Sequence, residues 1–429
     1  VRNSIGDEYT ELTEQACAIE QILKTEEERF SKTLSQGSDL LDSEIAKLKK
    51  SSVSTLPGSV AFVLYDTYGF PLELTEEMCA EVDIKVDKDG FDRSMEDQRE
   101  RARASSKQTS SIISKNAYTE IADKIGPSSF CGYDTVTSDS EIRAIISEGK
   151  EKEFISEGET ADIILSDTPF YAEKGGQVGD TGVLTAENAI FEVEDTIYPV
   201  NDLIVHRGRL LKGSLKKNQP VTASIDAARR RNIQRHHTAT HLIHEALSKV
   251  LGQHVRQAGS IVTPTFLKFD FNHFAPLTVD QIREIESIVY EQVLLDLPVK
   301  TTVMQIEEAK KTGAKALFDE KYGDEVRVLE IPGYSTELCG GTHVKATGEI
   351  GVVKIMREEG IGSGVRRINA ITGQNALETF QRFSTLSGTL ASMLGEDLDS
   401  ILSRVEDLLD EKKILERKNR ELQVKAALS

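Results

Sequence analysis

His236-His237-Thr238-Ala239-Thr240-His241 and, about a hundred residues on, Cys339-Gly340-Gly341-Thr342-His343 are the two stretches on which the reading of this chain turns. His237 and His241 stand four apart, so on a helix their imidazoles lie one above the other on one face. Cys339 and His343 flank a glycine-bearing turn. Together they offer three nitrogens and one sulfur, a donor set and spacing suited to tetrahedral zinc. Four protein ligands would make the metal structural, and three plus water catalytic; sequence leaves both open. Thr238 stands where a His-Glu-x-x-His protease places its general base, which argues against a peptidase.

Around this pair the chain reads as α+β and multidomain. Its 429 residues correspond to about three domains at ~150 residues each. Residues 226–250 read as a helix, in one or two pieces, stopped by Gly252. Residues 253–372 alternate strands and helices: Leu267-Lys268-Phe269-Asp270-Phe271 alternates as a half-buried strand, and Thr278 with Gln281 opens a helix as a capping box. Upstream, the short apolar runs of 130–225 indicate a small β-barrel or sheet. Residues 8–50, with Leu12, Leu23, Leu34 and Leu41 at helical spacing, predict a long amphipathic helix that Gly37 weakens, and more helix follows to about 104. The polar run Ser105 to Ser111 reads as a linker. From Phe380 onward the spacing predicts a coiled-coil segment, or one helix of a hairpin. The expected division is 1–105 helical, 106–129 linker, 130–225 barrel, 226–375 zinc-binding core and 376–429 the start of a coiled coil.

Composition narrows the class. No apolar run is long enough to span a bilayer, and the polar N-terminus is unlike a secretory signal. Four scattered cysteines fit a reducing, cytoplasmic setting. A net charge of −19 disfavours general nucleic-acid binding, DNA included. Basic residues nevertheless thicken near the presumed ligands: Arg229-Arg230-Arg231, Arg235, Lys310, Lys311, Lys315 and Arg366-Arg367. These are either solvated helix faces or a local anion-binding surface. Thr240, beside the ligand face, is either a pocket hydroxyl or a threonine bonded to its own backbone. Gln257 is either a group that orients water or a substrate carbonyl, or a surface strand residue. The glycine-rich segment Glu173-Lys174-Gly175-Gly176-Gln177 allows close approach by a ligand and equally makes an ordinary hairpin turn.

In this order the motifs resemble the editing region of alanyl-tRNA synthetases. His237-x-x-x-His241, Gln257, Cys339-Gly-Gly-Thr-His343 and Gly175-Gly176-Gln177 carry the likeness, and Leu64-Tyr65-Asp66-Thr67-Tyr68-Gly69-Phe70-Pro71 resembles the helical tRNA-recognition region of the same enzymes. The resemblance extends over essentially the whole chain. It implies one Zn2+ held by His237, His241, Cys339 and His343. It implies a pocket lined by Thr240 and Gln257, with Gly175, Gly176 and Gln177 at the substrate. The expected partner is tRNA(Ala), with no membrane, and the expected reaction is hydrolysis of Ser-tRNA(Ala) and Gly-tRNA(Ala). Arg229, Arg230, Arg366 and Arg367 are expected to guide the acceptor end. Glu73 stands where many members carry an aspartate that reads a G·U pair. The resemblance also implies a fragment: the class II catalytic domain, with its ATP and Mg2+, is expected before residue 1. A C-terminal domain through which a homodimer would form is expected after residue 429. A free-standing deacylase sharing this metal site, and a non-catalytic tRNA-binding module with structural zinc, are the alternatives.

Overall fold

The computed structural model describes residues 16–51, 53–106, 112–200, 203–315, 323–362 and 364–428. The chain divides into two compact units, residues 1–126 with 273–275, and residues 127–272 with 276–429. It is a mixed α/β multidomain protein containing a closed six-stranded barrel.

The first unit is helical. Helix α1 runs Ala16–Lys50, followed by α2 (Gly58–Tyr68), α3 (Leu72–Ala80), α4 (Lys88–Ser106) and α5 (Ile112–Ile125). Leu12 and the rest of 8–15, expected to begin the first helix, lie outside the described residues. Gly37 does not interrupt α1. It makes room instead, because a Cβ there would stand 2.6 Å from the ring of Phe70. Phe70 is fully buried with Leu41, Leu56, Leu64 and Cys79. Much of the stretch expected as linker is α5. Tyr118 and Ile121, three apart, are both buried, so the apolar period overrides the polar run before it. Residues 107–111 lie outside the described residues.

In the second unit, strands β1 (Thr137–Ser147), β2 (Lys150–Lys152), β3 (Thr160–Leu165), β4 (Gly182–Ala186), β5 (Ala189–Ile197), β6 (Val205–Lys212) and β7 (Pro220–Ile225) form one antiparallel sheet. Its order is β7-β4-β5-β6-β3-β1-β2, and β7 also pairs with β1, which closes six strands into the barrel. Alternation along β5 buries Ala189, Phe191 and Val193 and leaves the residues between them outside. That is the period-2 pattern of a barrel filled by side chains.

Helix α6 (Ala227–Leu251) leaves the barrel as a single piece. Asp226 caps it, accepting a hydrogen bond from the Arg229 N–H at 2.9 Å. Strands β8 (Gln257–Val262) and β9 (Leu267–Asn272) follow, then α7 (Val279–Leu294), whose capping box of Thr278 and Gln281 is formed as the sequence predicts. Next come β10 (Lys300–Gln305), β11 (Glu325–Ile331), β12 (Ser335–Leu338), β13 (Val353–Gly362) and β14 (Val365–Thr372). They make two antiparallel sheets, β8-β9-β14-β13 and β10-β11-β12. Leu242, Ile243 and Leu247 of α6 share a core with Phe269, Phe271 and Val289. The tail is two helices, α8 (Gly373–Leu394) and α9 (Ile401–Leu428), because Gly395 takes the left-handed conformation (φ 66°) that ends α8.

One buried group in the barrel wall sets a pH dependence. His206 is fully buried. Its Nδ1–H donates to the Ile163 carbonyl at 2.9 Å, and its Nε2 lies 2.7 Å from the Thr168 hydroxyl. Burial pushes it down from 6.5 to about 4. An unfolded histidine takes up its proton near 6.5, so between 6.5 and 4 the unfolded chain binds more protons. The stability His206 contributes is therefore complete above that window and is lost as pH falls through it, by about 3 kcal/mol at most. Urea unfolding followed by circular dichroism should show a flatter pH dependence between 4 and 6.5 for His206→Gln than for the parent chain. Equal slopes would remove His206 as the cause.

Candidate metal centre

Two segments distant in sequence converge on one point. Helix α6 brings His237 and His241, whose rings stack 5.4 Å apart at 14°. The turn after β12 brings Cys339 and His343. The donor atoms of all four lie within 4.8 Å of one another. Cys339 Sγ is 3.4 Å from His237 Nε2 and 3.2 Å from His343 Nε2. Those separations approach the edge of a tetrahedron with zinc–ligand bonds of ~2.0–2.3 Å.

The outer nitrogen of each imidazole is already engaged. His237 Nδ1 is 2.7 Å from Gln177 Oε1, His241 Nδ1 is 2.5 Å from Glu337 Oε2, and His343 Nδ1 is 3.2 Å from the Thr238 hydroxyl. Each contact places the proton on Nδ1 and turns an Nε2 lone pair inward, the usual second-layer support of a metal-bound histidine. His241 Nε2 is buried with no hydrogen-bond partner, an orphan that a metal ion would satisfy. Burial alone would raise the Cys339 thiol, but positive charge on the facing imidazoles when they are protonated, His237 first, outweighs it and holds it well below its ordinary value, with a bound metal ion taking the place of those protons. That favours the thiolate, the metal-binding form. Glu337 is likewise held low by His241 and His244 against the effect of its burial. This donor set is consistent with zinc, and four protein ligands would close a tetrahedral shell.

Gln177 reaches the cluster from the barrel. Its loop docks on β8, where Val262 N–H donates to the Gly176 carbonyl (2.7 Å) and Val178 N–H to that of Val262 (3.1 Å). Gln177 is fully buried. Its Oε1 accepts from His237 and from Thr342 N–H (2.9 Å), and its Nε2 donates to the Thr342 hydroxyl (3.0 Å). The turn it meets requires glycine at 341, where a Cβ would lie 2.0 Å from His237 Cε1.

Beside the cluster is a cavity of about 310 Å³. His237, His241 and Cys339 share its wall with Thr240, Gln257, Gly175, Tyr133 and Arg327, among others. Of the residues expected at the substrate, Thr240, Gln257 and Gly175 line this space. Gly176 and Gln177 stand outside its lining, and the Gln177 oxygen has no lone pair to spare. The Thr240 hydroxyl donates to the His236 carbonyl at 2.9 Å, which leaves it able to accept.

The arginines expected to guide RNA are distributed differently. Arg230 is buried. Its guanidinium pairs with Asp180 and donates to the carbonyls of Gly132 (2.7 Å) and Pro169 (2.9 Å). It pins α6 to the barrel and is buried away from an incoming phosphate. Arg229 donates to the Gly179 carbonyl at 2.8 Å. Arg366 is paired with Glu358, and Arg367 with Asp270 at 2.6 and 2.7 Å. Arg231 is exposed. Glu73 is exposed in the first turn of α3, in the other compact unit.

Sequence reasoning passed over Glu337, Arg327 and Tyr133. Glu337 had a signal: it is a carboxylate two residues before Cys339. Arg327 and Tyr133 had none, since only the fold brings them to the turn. The supporting role of Gln177 is testable. Gln177→Ala should weaken zinc binding by about 10- to 100-fold in competition with a chromophoric chelator, with the circular dichroism spectrum retained. An unchanged affinity would refute that role.

Two family models match the chain, and the class II match falls within it rather than before residue 1. A family model described as tRNA synthetases class II (A) matches residues 1–229. One described as Threonyl and Alanyl tRNA synthetase second additional domain matches residues 326–369, which include Cys339 and His343. The chain is 42% identical over 428 residues to an alanine–tRNA ligase of Pelotomaculum thermopropionicum, covering 100% of this chain and 49% of that protein. It is 43% identical over 435 residues to the one from Rhodopseudomonas palustris, with 99% and 49% covered. Against that of Idiomarina loihiensis it is 43% identical over 423 residues, with 99% and 48% covered. The chain thus spans about half the length of the curated relatives it matches. Because the class II model matches more than half of its residues, the chain belongs to the alanine–tRNA ligase family.

Proposed function

We propose that this chain is the proofreading portion of an alanine–tRNA ligase, binding tRNA(Ala) and hydrolysing the ester of tRNA(Ala) mischarged with serine or glycine. The carrying observation is the cavity whose wall is shared by three of the four candidate ligands, His237, His241 and Cys339, with Thr240 and Gln257. A pocket for alanine gains only about 1–3 kcal/mol against a residue one methylene or hydroxyl different, so a second, hydrolytic site is needed. Joining alanine to tRNA, with ATP and Mg2+, is assigned to the longer protein. Residues 226–375 are the zinc-holding editing core in this reading. Residues 1–105, including Glu73, contact the tRNA, and Arg231 is an exposed cation near the start of α6.

His237, His241, Cys339 and His343 would hold the zinc. A metal held there would tie α6 and the Cys339–His343 turn to each other. Binding of the aminoacyl group then falls to side chains. Thr240 Oγ accepts, and the Gln257 amide donates and accepts, so a serine hydroxyl can be paired where an alanine methyl leaves both without a partner. Four candidate ligands at one point also support a second reading, a tRNA-recognition module with purely structural zinc.

Deacylation assays separate the two. The chain should hydrolyse Ser-tRNA(Ala) in preference to Ala-tRNA(Ala), with Gln257→Ala lowering that preference and Cys339→Ala abolishing both zinc binding and hydrolysis. A folded, zinc-loaded chain that binds tRNA(Ala) without hydrolysing it would leave only the recognition reading.

A further inference from the structure

The Cys339-Gly340-Gly341 turn has all three carbonyls taken and two amides left over. Arg327 Nη1 donates to the carbonyls of Cys339 (3.0 Å) and Gly341 (2.8 Å), and the Tyr133 hydroxyl donates to that of Gly340 (2.6 Å). The Arg327 guanidinium lies 4.1 Å from the Tyr133 ring centroid, so the two clamps brace each other. On either side, Cys339 N–H donates to the Arg327 carbonyl (2.9 Å) and Thr342 N–H to Gln177 (2.9 Å). Between them, the N–H groups of Gly340 and Gly341 meet no acceptor among the described residues.

Gly341 is buried, Gly340 is exposed, and both line the cavity, so it is the Gly341 amide that lacks both solvent and a partner. A buried backbone donor without a partner is rare and calls for an explanation. In a trans peptide the N–H points opposite to the C=O. Tying the Cys339 carbonyl to Arg327 and the Gly340 carbonyl to Tyr133 therefore turns the next two N–H groups away from those clamps. Two successive free amides beside a cavity form the kind of concave donor pair that binds oxyanions.

We propose that the Gly340 and Gly341 amides are the oxyanion hole for hydrolysis of the aminoacyl ester, with Tyr133 and Arg327 as its positioning residues. This rests on the editing reading above. A water oxygen adds to the ester carbonyl carbon, and the π pair moves onto the carbonyl oxygen, where the two amides stabilise the charge. The pair then returns as the bond to the ribose oxygen breaks. That oxygen takes a proton from the attacking water, and the freed carboxylic acid ionises. Donors preset on the charge that develops act on the rate rather than on substrate binding.

The test is single-turnover deacylation of Ser-tRNA(Ala) by the whole chain, with zinc content and tRNA affinity measured alongside. Tyr133→Phe keeps the ring against Arg327 and removes only the bond to Gly340. It should slow hydrolysis about 10- to 100-fold, with the half-saturating concentration and the zinc content unchanged. Gly340→Pro removes one donor outright and should cost about 100- to 1,000-fold. Tyr133→Phe and Gly340→Pro chains that hydrolyse at the parental rate would overturn the assignment. So would a Tyr133→Phe chain that loses zinc in proportion to its rate, which would make the clamp purely structural. A parent chain that binds tRNA(Ala) but does not hydrolyse the ester would instead overturn the editing reading, and this inference with it.

Discussion

A single buried amide joins the parts of the second unit that matter for chemistry. Gln177 projects from a barrel loop into the α+β core, accepts the Nδ1–H of His237 and is tied to Thr342 in the cysteine-bearing turn. Barrel, helix α6 and turn therefore share one hydrogen-bonded node beside the metal ligands. A buried network of this kind stabilises only when every member is paired, because the low dielectric that strengthens each bond also penalises each omission. Here the pairing extends to Glu337, which holds His241 and His244 and accepts from Ser335 at 2.9 Å. The ligand geometry is thus set by the protein's own hydrogen bonds.

The arginines show how an acidic chain uses its cations. Arg230 directs its buried guanidinium at Asp180 and two carbonyls and so anchors α6 to the barrel. Removing one member of such a pair strands a buried charge, at a typical cost of about 3–5 kcal/mol. Arg366 and Arg367 face carboxylates across strands β13–β14 and β9–β14 respectively. A phosphate arriving there has to displace an acidic partner, which favours selective contact over general attraction to nucleic acid. Arg327 acts differently again, as a hydrogen-bonding plate that shapes the Cys339–Gly341 turn.

Local elements were legible where one physical signal dominated. The capping box at Thr278 and Gln281, the alternation through Phe269 and Phe271, and the i,i+4 histidines on α6 each depend on short-range spacing, which a sequence carries directly. The misjudged elements were those in which two signals competed. Gly37 has low helix propensity, yet the approach of Phe70 demands it. The linker expected at 106–129 holds α5 because the period of Tyr118 and Ile121 outweighs the serines before it.

By itself the sequence determined which residues can ligate a soft divalent metal, that they fall in two clusters on a helix and a glycine turn, and that this order of motifs is the family's. Those properties belong to side-chain chemistry and to spacings of a few residues. The tertiary structure alone decided that Gln177 supports His237 and that Arg230 is an anchor rather than an RNA contact. It also decided that Tyr133, more than two hundred positions from Gly340, holds its carbonyl. Each of those contacts joins residues whose separation along the chain exceeds any local period. Only barrel closure and the docking of its loop on Val262 bring them within hydrogen-bonding distance.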